Sequence, residues 1–135
     1  MPSESDHLAL AAHNQETVDF LLTGGDRFPV WVVTVVFYKA LHLVDAMLDR
    51  LDGKHGVDHR TRNTILRANR RYLNVLKHYN AIKEASVVAR YLHDQGSSHS
   101  YRTFADYCPA QRVKSEYVDG RLKELQKSID RLSKK

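Results

Sequence analysis

Arg60, Arg67, Arg71 and His78 stand seven, four and seven residues apart, a spacing that places all four on one face of a helix. Arg70 and Lys77 flank that face. Arginine can hold phosphate oxygens through two parallel N–H donors, so such a stripe suits a phosphate backbone or a nucleotide. A plain solvated helix face would also show cations, but it would mix them with acids. Between Asp58 and His78 there are six basic residues and one acid. The rest of the chain carries fifteen basic and fifteen acidic residues, so the net charge of +5 belongs to this segment. Arg60, Arg67, Arg70, Arg71 and Lys77 are the candidate nucleic-acid-binding residues.

A second set lies on the polar side of an apolar stretch: Lys39, His42, Asp45 and Asp49, three, three and four residues apart. With His59 they suit a buried hydrogen-bond network or a functional pocket. A metal site would draw on the same types, and His55 and His59 have a helical ligand spacing. Gly56 puts that pair in a loop, however, and the Glu and Glu-x-x-His pattern of helix-borne metal bundles is absent. No metal or cofactor is expected. Catalytic signatures are missing too: the chain has no Gly-x-Ser-x-Gly elbow, no phosphate-cradling glycine loop and no dinucleotide fingerprint. Cys108, before Pro109, reads as a packing residue.

The elements that must carry these residues are helical. Leu8, Ala11, Val18 and Leu22 keep a three-four spacing over 5–22, and Gly24-Gly25 ends the run. Val33, Phe37, Leu41, Val44, Leu48 and Leu51 form the stripe of a central helix over 29–51, widened by Val36, Ala40, Leu43 and Met47. Pro29 suits its first turn and Asp26 its cap. After the loop around Gly53 and Gly56, Asp58 is a natural N-cap. Helical patterning then runs to Gln95, about 57 Å at 1.5 Å per residue, too long for one helix of so small a globule. A break near Tyr79-Asn80 gives helices over 58–79 and 81–95. Gly96 to Ser100 reads as loop and Tyr101 to Cys108 as an irregular covering segment. Pro109 opens a last helix, 109–132, whose seam of Val118, Leu122, Leu125, Ile129 and Leu132 suits bundle or dimer packing.

The expected fold is all-α, a single domain over residues 1–135 built as an up-and-down bundle of about five helices. A single cysteine excludes an internal disulfide and suits a reducing compartment. The polar, acidic start is unlike a signal peptide. The apolar run Val30 to Tyr38 is cut by Lys39, His42 and Asp45, short of the roughly 20 residues a bilayer needs. These features predict a cytoplasmic chain without a membrane span.

Phe28-Pro29-Val30-Trp31 and Phe37-Tyr38-Lys39-Ala40-Leu41-His42-Leu43-Val44-Asp45-Ala46 resemble a helix of HEPN-domain proteins. His59-Arg60 and Ala89-Arg90-Tyr91 are similar to a bacterial and archaeal branch of that family. The likeness spans roughly residues 16 to 132. It implies a helical bundle, commonly a homodimer, and either a metal-independent ribonuclease or a non-catalytic module for RNA, nucleotides or a protein partner encoded nearby. Defence and toxin–antitoxin systems are the implied setting. The family signature pairs an Arg with a His across four to six intervening residues, which Arg71 with His78 (six between) and Arg50 with His55 (four between) match. Arg71 and His78 are the candidate catalytic pair. The residue after the Arg is usually polar, whereas Tyr72 and Leu51 stand there in this chain, which suits the binding members of the family. Lys39, His42, Asp45, His59 and Arg90 make up the candidate polar pocket.

Overall fold

The computed structural model describes residues 2–90 and 104–133. It comprises α1 (Glu4–Leu22), a 3-10 turn (Gly25–Arg27), α2 (Pro29–Asp52), α3 (His59–Arg67), a second 3-10 turn (Arg70–Tyr72), α4 (Leu73–Arg90) and α5 (Phe104–Ser133). No strand occurs among the described residues. The architecture is an all-α helical bundle, as the periodicity predicts.

Local chemistry sets most of the helix ends. Ser3 and Asp6 form a reciprocal capping box that opens α1. Pro29 stands in the first turn of α2, but Phe28 is the N-cap and makes no side-chain cap bond, so Asp26 is not the cap. Gly53 ends α2 at a φ of 61°, a left-handed conformation that glycine adopts without a Cβ penalty. Its N–H closes back on the carbonyls of Asp49 and Leu48. Asp58 caps α3 as expected, its carboxylate accepting from the Thr61 N–H at 2.7 Å.

Two boundaries differ from the periodicity reading. The break expected at Tyr79-Asn80 falls eleven residues earlier, at Ala68-Asn69, and Tyr79-Asn80 lies inside α4. Asn69 is extended, and its side chain accepts from the Arg71 N–H at 3.1 Å. That local bond offers the backbone an alternative to continuing the helix. The last helix begins at Phe104 rather than Pro109, so residues 104–108 are helical instead of an irregular cover. The expected helical residues 91–95, the loop at 96–100 and Tyr101 itself lie outside the described residues.

α2 is the centre of the bundle, with α1, α4 and α5 packed around it. This explains a helix buried on more than one face. By length and composition it could cross a membrane, but most of it is covered by the other helices. Val33, Phe37, Val44 and Leu48 are buried, and Leu41 and Leu51 are half-buried at the margin. The α5 seam of Val118, Leu122, Leu125 and Ile129 joins the same core, with Leu132 packed against it. The seam is therefore part of the chain's own core. Tyr72 is fully buried, and its hydroxyl donates to the Asp52 carboxylate, tying the second 3-10 turn to the end of α2. Burial, reinforced by Asp52, pushes its pKa up to about 12, so this phenol stays protonated.

Candidate functional site

The strongest polar constellation is centred on Arg62, one of the six basic residues of the charged segment. α3 turns this side chain inward, where it is 4% exposed. Its Nε donates to Asp45 Oδ1 at 2.7 Å and its Nη2 to Asp45 Oδ2 at 2.9 Å. That is a two-pronged pair, the strong form of an Arg–carboxylate contact. Nη2 also donates to the Gly56 carbonyl at 2.6 Å, and Nη1 to the Tyr79 hydroxyl at 3.4 Å. Burial works against the Arg62 charge, but the Asp45 bond and charge outweigh it, and the guanidinium pKa rises. Gly56 is required by closeness here. A Cβ on it would stand 2.9 Å from Arg62 Cβ and 3.0 Å from Asp45 Oδ1.

His59 sits at the outer rim of this centre. Its Nδ1 lies 3.4 Å from Arg62 Nη1 and 3.3 Å from the Tyr79 hydroxyl. Arg62 can only donate, so Nδ1 accepts and the His59 proton belongs on Nε2. Burial and then the Arg62 charge lower the His59 pKa, consistent with a neutral ring. On the other side of Asp45, His42 faces His7 of α1, with the two Nδ1 atoms 3.1 Å apart and the rings stacked. Burial, then His7, lowers the His42 pKa. Nearby, Asp49 accepts from the Glu4 N–H at 2.8 Å, and its other oxygen lies 3.7 Å from His55.

The expected pocket of Lys39, His42, Asp45, His59 and Arg90 is thus only partly gathered. His42, Asp45 and His59 meet through Arg62 and its partners. Lys39 donates instead to Gln15 Oε1 of α1 at 2.7 Å, and burial lowers its pKa. Arg90 ends α4 with an exposed side chain, near enough for its charge to act on His59. Two central members, Arg62 and His7, were not among the residues that spacing selected. Arg62 stands three residues after His59, one helical turn, and that spacing was the available signal.

The basic stripe is divided by the helix break. Arg60 and Arg67 lie on α3, Arg70 and Arg71 on the 3-10 turn, and Lys77 and His78 on α4. A single-helix face carrying all of them is therefore corrected to a corner shared by three elements. All five cations, Arg60, Arg67, Arg70, Arg71 and Lys77, are exposed, and none is in an ion pair among the described residues. Arg71 lies over the Tyr72 ring at 5.7 Å. His78 instead meets Arg121 of α5, with Nδ1 3.1 Å from its Nη1, and Arg121 Nε donates to the Tyr117 hydroxyl at 3.1 Å. No hydrogen bond joins Arg71 to His78 among the described residues. Arg50 pairs with Glu4 at 3.2 Å. Separately, a cleft of about 990 Å³ between α4 and α5 is lined by Asn80, Lys83, Glu84, Val88, Lys114 and Tyr117 among others. Its polar groups have mixed signs, and it includes none of the candidates.

The histidines give the fold a pH dependence. Burial, followed by the Arg121 charge, holds His78 below its ordinary pKa, as burial and Arg62 hold His59. The unfolded chain, near 6.5 for each, then binds more protons than the folded one just below that pH. Stability is therefore full above about pH 7 and declines as pH falls through 6.5 toward 5. Thermal melts from pH 8 to 5 should show this decline, with a shallower slope in a His59→Gln, His78→Gln variant. Parallel slopes would assign the dependence to other groups.

A comparison of the chain with protein-family models, with curated proteins and with solved structures finds no match.

Proposed function

We propose that this chain is a helical module that binds RNA through phosphate contacts from Arg60, Arg67, Arg70, Arg71 and Lys77. The observation that carries the reading is the state of these five cations: all are exposed and none is in an ion pair among the described residues, on the consecutive elements α3, the second 3-10 turn and α4. The one acid in their segment, Asp58, is engaged in capping α3. The sixth cation, Arg62, is withdrawn into the interior, so the exposed set is free of a structural duty of that kind. Arg60 and Arg67 alone are about 10 Å apart along α3, a reach that favours a strand of phosphates over one nucleotide.

Binding rather than cleavage is the reading the geometry favours. Cleavage by the expected pair needs a proton-transferring histidine beside a group that stabilises developing charge. His78 makes its contact with Arg121 on another helix, and Arg71 rests on Tyr72.

The test is a pair of charge reversals, Arg67→Glu and Arg71→Glu, in one chain. Both sites are exposed, so the melting temperature should stay nearly unchanged. Affinity for a single-stranded RNA should be lost. For the wild type, log affinity should fall with log salt by about 0.7 for each phosphate neutralised. A free nucleotide should compete poorly. Equal affinity of variant and wild type, or no binding at low salt, would overturn the reading in favour of a protein-interaction module.

A further inference from the structure

We propose that His7, His42 and Asp45 form a site for a divalent transition-metal cation of the zinc class, held between α1 and α2. One ligand atom from each residue lies within 4.8 Å of the other two. The two Nδ1 atoms are 3.1 Å apart. Two nitrogen ligands of a tetrahedral zinc ion, bonded at about 2.0–2.1 Å, stand roughly 3.3 Å from each other. The imidazole pair is thus already at ligand spacing, and a proton between them is what a cation would replace. Both rings present a lone pair at Nδ1 when their proton sits on Nε2.

Asp45 is the third ligand. It lies one helical turn after His42 on α2, with its carboxylate 5% exposed. Each oxygen takes one hydrogen bond from Arg62, and a carboxylate has about four acceptor sites in all. Lone pairs therefore remain on the oxygens. An Arg-bound carboxylate is also fixed in orientation, which is how outer partners prepare metal ligands. The Arg62 charge lowers affinity relative to a closed four-ligand site, and the half-buried histidines leave a fourth position for water. Two nitrogens and one oxygen select zinc, cobalt or nickel over magnesium and calcium, which take oxygen donors. The pattern of Glu and Glu-x-x-His does not find this site, because one of its ligands, His7, comes from α1. Nothing in the proposal depends on RNA binding.

The experiment is a titration of the full chain, first stripped with a chelator, using cobalt(II) by visible absorption and zinc(II) by calorimetry. The expected result is one equivalent bound, a tetrahedral or five-coordinate cobalt spectrum, and a melting temperature raised by zinc but not by magnesium. His7→Ala and His42→Ala should each weaken binding by at least about tenfold. His13→Ala, which removes an exposed histidine of α1, should leave it unchanged. Circular dichroism establishes that each variant is folded. His7 is only half-buried, so its variant keeps the test decisive if His42→Ala does not fold. Absence of binding, or binding equal in folded His7→Ala, would overturn the proposal.

Discussion

Asp45→Ala is expected to destabilise the fold by about 3–5 kcal/mol, since it leaves Arg62 charged, buried and without its counterion. Deleting the carboxylate removes two charge-assisted hydrogen bonds at 2.7 and 2.9 Å. The remaining acceptors, the Gly56 carbonyl, the Tyr79 hydroxyl and His59 Nδ1, are neutral. Most of the loss should therefore come from the stranded cation rather than from the pair's own worth. A double variant, Asp45→Ala with Arg62→Met, should recover much of it, because the unpaired charge is gone. Urea denaturation of the three chains measures both effects. A loss below about 1 kcal/mol in Asp45→Ala would mean that solvent reaches Arg62 and that the pair is a surface one.

Val44→Asp should be the more damaging change. Val44 is fully buried on the face of α2 that meets the core, one residue from the polar centre. A carboxylate there has no donor waiting for it. The expected cost exceeds about 4 kcal/mol, a large part of the 5–15 kcal/mol typical of a domain. Circular dichroism should show loss of helix at room temperature or a steep drop in melting temperature. A wild-type melt would place Val44 at the surface and contradict the packing of α2.

The contrast between these neighbours shows what a sequence can reveal. Val44 belongs to a stripe of six residues, Val33 to Leu51, over about five turns, and a stripe of that length specifies a helix and its buried face. The α5 seam was legible on the same grounds, as were the roles of Pro29 and Asp58. The break was misplaced because both regions lack glycine and proline. Asn69 acts through one side-chain bond to Arg71 N–H, whereas Asn80 stands in an unbroken helix. Arg62 was hidden for a different reason. Its sequence neighbours are cations and polar residues, so nothing local says that it points inward. Only Asp45, seventeen positions earlier, gives it a place. His7 likewise lies on a helix with many polar residues, and its meaning depends on a ring thirty-five positions away. Periodicity reports burial averaged over a face; it does not report a single pairing across the bundle.

α1 packs chiefly against one long helix of the bundle, whereas α2, α4 and α5 each pack against at least two. That one helix is α2, and among the residues of α1 only Ala11 and Val18 are buried. Beyond these, Leu21 packs at the margin of the core, and three polar contacts tie α1 down: Glu4 with Arg50, His7 with His42, and Gln15 with Lys39. Helices secured this way are the ones that open below the cost of global unfolding, so their amides exchange with solvent first. In such an opening α2, α4 and α5 stay together while the His42 side of α2 becomes wet. A cation shared by His7 and His42 would bind only the closed form. By mass action it would raise the cost of detaching α1 with its own concentration, turning an N-terminal helix into a clasp set by metal supply.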